Sequence, residues 1–112
     1  MTLHKKRSRE IAALNDLARK TFRGCNVMLT QGIMALSEEE QVELLEQVRA
    51  YNCFTPQTDP FGEHDFGSLE FRGRKVFWKF SYYDRASMHH TPDASDAERT
   101  QRVLTIMLAE EY

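Results

Sequence analysis

The eighteen residues from Phe66 to Tyr83 constrain this chain more than any other stretch. Apolar and polar side chains alternate on both sides of Arg72-Gly73, and a type I′ turn needs positive φ at both of its central positions. The pattern therefore predicts a hairpin turning at Arg72-Gly73, with Glu70 opposite Lys75, Leu69 opposite Val76 and Gly67 opposite Trp78. One face then carries Leu69, Phe71, Val76, Trp78, Phe80 and Tyr82. The other carries Ser68, Glu70, Lys75, Lys79 and Ser81, with Phe77 and Tyr83 also pointing outward. A slip of one residue would send Trp78 into water and Lys79 into the core, so the register is strongly specified. Gly67 opposite Trp78 leaves room for the indole to lie across the neighbouring strand.

The rest of the chain reads as support for this hairpin. Residues 5–23 predict an amphipathic helix with Ile11, Leu14, Ala18 and Phe22 on one stripe and Lys5, Arg9, Arg19, Lys20 and Arg23 on the opposite face. Gly24 is placed to end it. Residues 26–30 predict a short strand closed by Gly32. Ser37 with Glu40 forms a capping box for a second helix, whose apolar side is Val42, Leu44, Leu45, Val48 and Tyr51. Residues 52–65 form a long irregular connection containing Pro56 and Pro60. Asp84 to Ala94 forms a second loop with His89, His90 and Pro92. Ser95 with Glu98 repeats the capping-box spacing, and Val103, Leu104, Ile106, Met107 and Leu108 follow at helical intervals, so a last helix is expected from Ser95 to Glu110. The expected architecture is a single α+β domain over residues 1–112, in the order α-β-α-β-β-α, with a three-stranded antiparallel sheet and helices packed on one face.

With 112 residues, the chain is long enough to bury a core without staples. Cys25 and Cys53 lie far apart with no CxxC spacing and read as two free, partly buried thiols. No apolar run approaches the ~20 residues that a membrane-crossing helix needs, and no apolar segment follows the basic start. The expected compartment is the cytoplasm, and no membrane partner is expected. Charge is segregated. Seven Lys and Arg stand against two acids in residues 1–25, while residues 37–46 hold five Glu and no base. Such asymmetry bears on partners more than on fold.

Chemistry concentrates in Asp59-Pro60-Phe61-Gly62-Glu63-His64-Asp65-Phe66-Gly67. Asp59, Glu63, His64 and Asp65 suit a hard divalent cation or a general acid–base pair, and Asp84 would join them if the two long loops met. The plainer reading makes Asp59 and Asp65 caps for backbone amides, as Asp does beside Pro and Gly. Asp65-Phe66-Gly67 matches a kinase tripeptide, but the glycine-rich and His-Arg-Asp loops are missing. No GxSxG, Walker or metal-type Cys/His spacing occurs, and nothing beside either cysteine activates it. No cofactor is expected. The basic face of the first helix, Arg9, Arg19, Lys20 and Arg23, is the second candidate. It would meet an acidic protein surface or nucleic-acid phosphates, or else be an ordinary solvated face. The aromatic run from Phe77 to Tyr83 reads half as core by its period of two, rather than as a stacking platform.

Four segments resemble one family: Val27-Met28-Leu29-Thr30-Gln31-Gly32, the nonapeptide 59–67, Trp78-Lys79-Phe80-Ser81-Tyr82-Tyr83-Asp84, and Arg102 through Tyr112. Together they are similar to a small proteobacterial family classed only as a domain of unknown function, and the resemblance covers the chain from about Asn15 onward. It implies a cytoplasmic protein often encoded on plasmids and integrated elements, and it brings no reaction with it. The expected function is accordingly a non-enzymatic protein-interaction factor of a mobile element that masks a partner's surface. An inhibitor of a CRISPR-type complex is one concrete form. Arg9, Arg19, Lys20 and Arg23 or the Glu38–Glu46 face would supply the contact. The alternative is a metal-dependent hydrolase or nuclease using Asp59, Glu63, His64, Asp65 and Asp84. Direct nucleic-acid binding through the first helix is a third reading.

Overall fold

The computed structural model describes residues 2–91 and 93–112, so Pro92 of the second loop lies outside the described residues. The elements run α1 (Leu3–Thr21), β1 (Asn26–Leu29), α2 (Gln31–Met34), α3 (Glu38–Arg49), β2 (Phe66–Phe71), β3 (Arg74–Asp84) and β4 (Thr100–Leu108), closed by a 3₁₀ turn at Ala109–Glu111. The fold is α+β, but the sheet is four-stranded and mixed, in the order β1-β4-β3-β2. β1 runs parallel to β4, and the other two pairs are antiparallel.

The hairpin forms in the expected register, with Gly67 opposite Trp78, Leu69 opposite Val76 and Glu70 opposite Lys75. Arg72 and Gly73 have φ of 50° and 81°, as a primed turn requires. The expected last helix is instead strand β4. Burial alternates along its first six residues, with Arg102, Leu104 and Ile106 on the helix side. β-Branched Thr100, Val103, Thr105 and Ile106 fit a pleated surface better than a helix. The capping residues expected at Ser95 and Glu98 serve loop turns. Their backbone amides donate to the carboxylates of Asp93 and Asp96.

Helix α1 spans Leu3–Thr21 rather than 5–23, and Phe22, not Gly24, takes the left-handed conformation that ends it, at φ 58°. Gly32 falls within the short helix α2 rather than closing the strand. The Ser37–Glu40 capping box forms as expected. Leu44 and Val48 of α3 are buried, while Val42, expected on the apolar side, is exposed. Cys25 is half-buried, and Cys53 is exposed rather than partly buried.

All helices pack on one face of the sheet. Ala18, Ile33, Leu44 and Val48 meet Phe71, Val76, Trp78, Phe80, Leu104, Ile106 and Leu108 there. The chain ends on a buckle. Glu111 Oε1 accepts from Thr30 Oγ1 at 2.6 Å and Leu108 N at 2.8 Å, and Oε2 accepts from Gly32 N at 2.9 Å. This fastens the terminus across the start of α2 and turns Tyr112 onto the opposite face, where its ring meets Phe66 and Phe77.

Candidate functional site

The nonapeptide loop is fastened to α1 through residues of both. Asp59 is buried, and its Oδ1 accepts from Glu63 N at 3.2 Å and from His64 N at 3.3 Å, with Oδ2 also 3.3 Å from His64 N. This is the amide-capping role open to Asp beside Pro and Gly. His64 takes φ 54°, uncommon for a side-chain-bearing residue. Its Nδ1 lies 3.0 Å from both carboxylate oxygens of Asp16, and its Nε2 lies 3.7 Å from Asp59 Oδ2. The ring stacks on Phe54 with centroids 3.9 Å apart and planes 4° from parallel. Both imidazole nitrogens thus face carboxylates of this chain, so the ring acts as a staple between α1 and the loop.

Behind the staple lies a buried polar network. Asn15 is 0% exposed; its amide donates to Glu63 O at 3.0 Å and Tyr82 Oη at 2.8 Å, and its Oδ1 accepts from Arg102 Nε at 3.0 Å. Arg102 also donates to the carbonyl of Ala94. Burial pushes the Tyr82 phenol up and the Arg102 guanidinium down from their ordinary values. Every one of these groups has a partner, which is what makes a buried network stabilising rather than costly.

Arg19, expected on the solvated basic face, is 1% exposed. Its Nε donates to Val48 O at 3.1 Å, Nη1 to Asp16 Oδ1 at 3.1 Å and Nη2 to Tyr51 O at 2.8 Å. The guanidinium also lies over the rings of Trp78 and Phe54. Arg9, Lys20 and Arg23 do stand in solvent. Beside the staple, a groove of about 710 Å³ runs between α1 and α3, lined by Lys20, Glu46, Arg49, Asn52, Phe54 and His64. Its charges are mixed in sign.

Asp84 does not join the loop. Its Oδ1 accepts from Ala86 N at 2.8 Å, and its Oδ2 pairs with Arg99 at 3.0 Å. These contacts, the amide of Ala86 first, hold its carboxyl below the usual range. Among the described residues, no group of three or more His, Cys, Asp or Glu has the geometry to hold a metal ion. Glu63 and Asp65 are held above their ordinary values, first by burial and then by neighbouring carboxylates. A raised folded value means that the native state binds more protons than the unfolded chain in that window, so this term gains stability as pH falls. Asp65→Asn, which removes the titration, is therefore expected to be more stable than the natural chain near neutral pH. The gain should vanish once pH falls below 3.8, the group's ordinary value. Urea unfolding of both proteins across this range checks it, and a gain that grows on acidification would contradict the assignment.

The sheet face away from the helices has no covering layer among the described residues. Strand alternation places Asn26 and Met28 of β1, Gln101, Val103, Thr105 and Met107 of β4, Phe77, Lys79, Ser81 and Tyr83 of β3, and Phe66 and Ser68 of β2 on it. Met28 is 54% exposed and Tyr112, at its margin, 73%. A solvated sheet face is ordinarily polar. Here, with Glu70 and Lys75 also on this side, apolar and aromatic side chains take six of its fourteen strand positions, of which Met28 is exposed and Met107 is buried.

Sequence reasoning missed Asn15, Asp16, Phe54, Tyr82 and Arg102 as partners of the loop; of the sheet face away from the helices it singled out Phe77 and Tyr83, as outward-pointing rings to be covered or to form a contact patch. The signal for Asn15 and Arg19 was present, since they follow Ile11 at four and eight residues and so share its stripe. No helix among the described residues is long and apolar enough to cross a membrane. A family model described as "Protein of unknown function (DUF3768)" matches residues 29–111. No curated protein and no solved structure matches the chain.

Proposed function

Because the chain belongs to the DUF3768 family, whose description assigns no activity, we propose its function from geometry: it is a non-enzymatic protein that captures a partner protein on the uncovered face of its sheet. The observation that carries this reading is the share of apolar side chains on a face that no helix covers, with Met28 exposed and Phe66, Phe77, Tyr83 and Val103 half-buried there. Apolar patches of this kind mark contact sites on soluble proteins. Four strands ~4.8 Å apart and averaging ~25 Å in length give a footprint of roughly 400–500 Å². A standard interface uses ~800 Å² per partner, so the partner would also cover a rim of the sheet.

The loop at 59–65 has less to offer as a reaction centre. Asp59 is committed to backbone amides, His64 to Asp16, and Asp84 to its own loop. A divalent-ion-dependent hydrolase built on these residues therefore has weaker support. The basic face of α1 is also the weaker contact surface, since Arg19 does not contribute to it and a polar outer side is what any surface helix requires. Masking of a defence complex is one form that such capture would take.

Capture experiments with the natural chain as bait, compared with Met28→Glu and Val103→Glu, test the reading. Both sheet-face variants are expected to lose the specifically retained protein at least about tenfold while melting normally, because each places an unpaired charge in an apolar contact. Lys20→Glu with Arg23→Glu on α1 is expected to retain it. Equal capture by the sheet-face variants would remove the face from consideration.

A further inference from the structure

The uncovered face has a hollow of about 460 Å³ near its centre, lined by Lys79, Ser81, Tyr83, Thr105, Met107 and Tyr112, with Thr30 and Glu111 at its rim. We propose that this hollow receives a carboxylate, the side chain of an Asp or Glu presented by the partner protein, and so sets which partner is taken. The inference rests on the sheet-face reading above and names the chemistry it would select.

Three observations carry it. First, Lys79 sits mid-strand, with Phe66 and Thr105 as its cross-strand neighbours, so neither flank supplies an acid. Among the described residues no carboxylate lies within 4.0 Å of its ammonium; the group instead sits 5.3 Å from the centre of the Tyr112 ring. Second, the same hollow is lined by the hydroxyls of Ser81, Tyr83 and Thr105, which among the described residues have no hydrogen-bond partner in the protein, and Thr105 lies directly across from Lys79. An oxyanion accepts from several donors at once, and bonds between charged partners are about twice as strong as neutral ones. Third, Glu111, the acid at the rim, has both oxygens taken up by Thr30, Gly32 and Leu108 and is held there. Those donors, the Thr30 hydroxyl first, also keep its carboxyl below the ordinary range.

The surroundings exclude two other occupants. A second copy docked face to face with its two-fold axis through the hollow would set Lys79 near its own symmetry mate, a like-charge contact. Single-stranded nucleic acid would find aromatic rings, but Lys79 is the only cation at the middle of the face, where a phosphate chain needs a run of them. A short acidic residue flanked by apolar ones fits both parts: the carboxylate reaches the ammonium and hydroxyls, and its neighbours cover Phe77, Val103 and Met28.

Selection of a displayed 12-residue random peptide library on the immobilised full chain tests this, with Lys79→Met and Lys79→Glu run in parallel after melting curves establish that both fold. Peptides recovered on the natural chain are expected to be enriched at least about tenfold in Asp or Glu next to apolar residues, and to lose binding to Met28→Glu. Lys79→Met should abolish the acidic enrichment, and Lys79→Glu should turn it into enrichment of Lys or Arg. Acidic enrichment that persists on Lys79→Met would overturn the assignment. So would recovery of purely apolar peptides, or concentration-dependent dimerisation that Lys79→Met strengthens. Failure to select any peptide would also count against the carboxylate, while loss of partner capture by Met28→Glu would still support the sheet-face reading, so the two failures are separable.

Discussion

Gly67→Ala should destabilise the protein by about 1–3 kcal/mol, the cost of forcing an extra methyl into a packed core. For a domain of this size that is a fall in Tm of roughly 5–15 °C. The sign is the informative part. Glycine inside a strand is usually worse than alanine by ~0.5–1 kcal/mol, so an unobstructed site would gain stability from the change. Here a Cβ on Gly67 would come within 2.6 Å of Trp78 Cζ2 and closer still to Nε1. The indole cannot retreat. It is 0% exposed and boxed by Tyr51, Phe54 and Phe80 at ring separations of 5.3, 6.1 and 6.0 Å, all edge-to-face. Thermal melts of Gly67→Ala, alone and combined with Trp78→Phe, measure this. The double variant should show less than the sum of the two losses, because the smaller ring vacates the space that the methyl needs. A neutral or stabilised Gly67→Ala would mean that the indole does not lie across β2.

Asn15→Leu should cost about 3 kcal/mol or more, although the two side chains have the same number of heavy atoms. The change removes no core packing; it strands polar atoms. Arg102 Nε, Glu63 O and Tyr82 Oη each lose a partner at once, and an unsatisfied buried group costs ~1–3 kcal/mol, with charged groups at the upper end. Water cannot take over, since Arg102 is almost fully enclosed. Urea unfolding is the measurement, with Tyr82→Phe as the reference for loss of one hydroxyl alone. A loss under about 0.5 kcal/mol for Asn15→Leu would show that the network relaxes, and that the loop is held by the His64 staple without it.

These two positions mark where the sequence could and could not be read. The hairpin was legible because its determinants are local. Alternation over six residues each side and one Arg-Gly pair specify register without reference to the rest of the chain. β4 was misread because Val103–Leu108 is apolar nearly throughout, and a short apolar run fits both periods. Its far side is polar only at Gln101 and Thr105, since Met107 is buried there beside Tyr112. With β4 taken as a helix, the parallel pairing to β1 and the fourth strand were lost too. In the site, Asp59 was legible as an amide cap because its partners are four and five residues away. The His64–Asp16 contact was not, because the two are far apart in sequence and meet only when α1 docks. Arg19 was assigned by polarity, and Asn15 passed over, when position should have decided. A polar residue on a buried stripe is hidden by the helix, and it then has to find partners there.

The parallel pairing of β1 with β4 has a consequence for how the molecule comes into being. Asn26 pairs with Val103 and Leu29 with Ile106, so β1 waits for a partner that comes far later in the chain. The hairpin assembles from neighbours in sequence, whereas β4, an inner strand of the finished sheet, follows both of its strands in the chain. Closing such distant contacts is the slow part of folding. Until β4 is in place, β1 and β3 are two open edges, and Trp78 and Phe80 lack their cross-strand neighbours Ile106 and Leu104, the kind of surface that chaperones and proteases recognise.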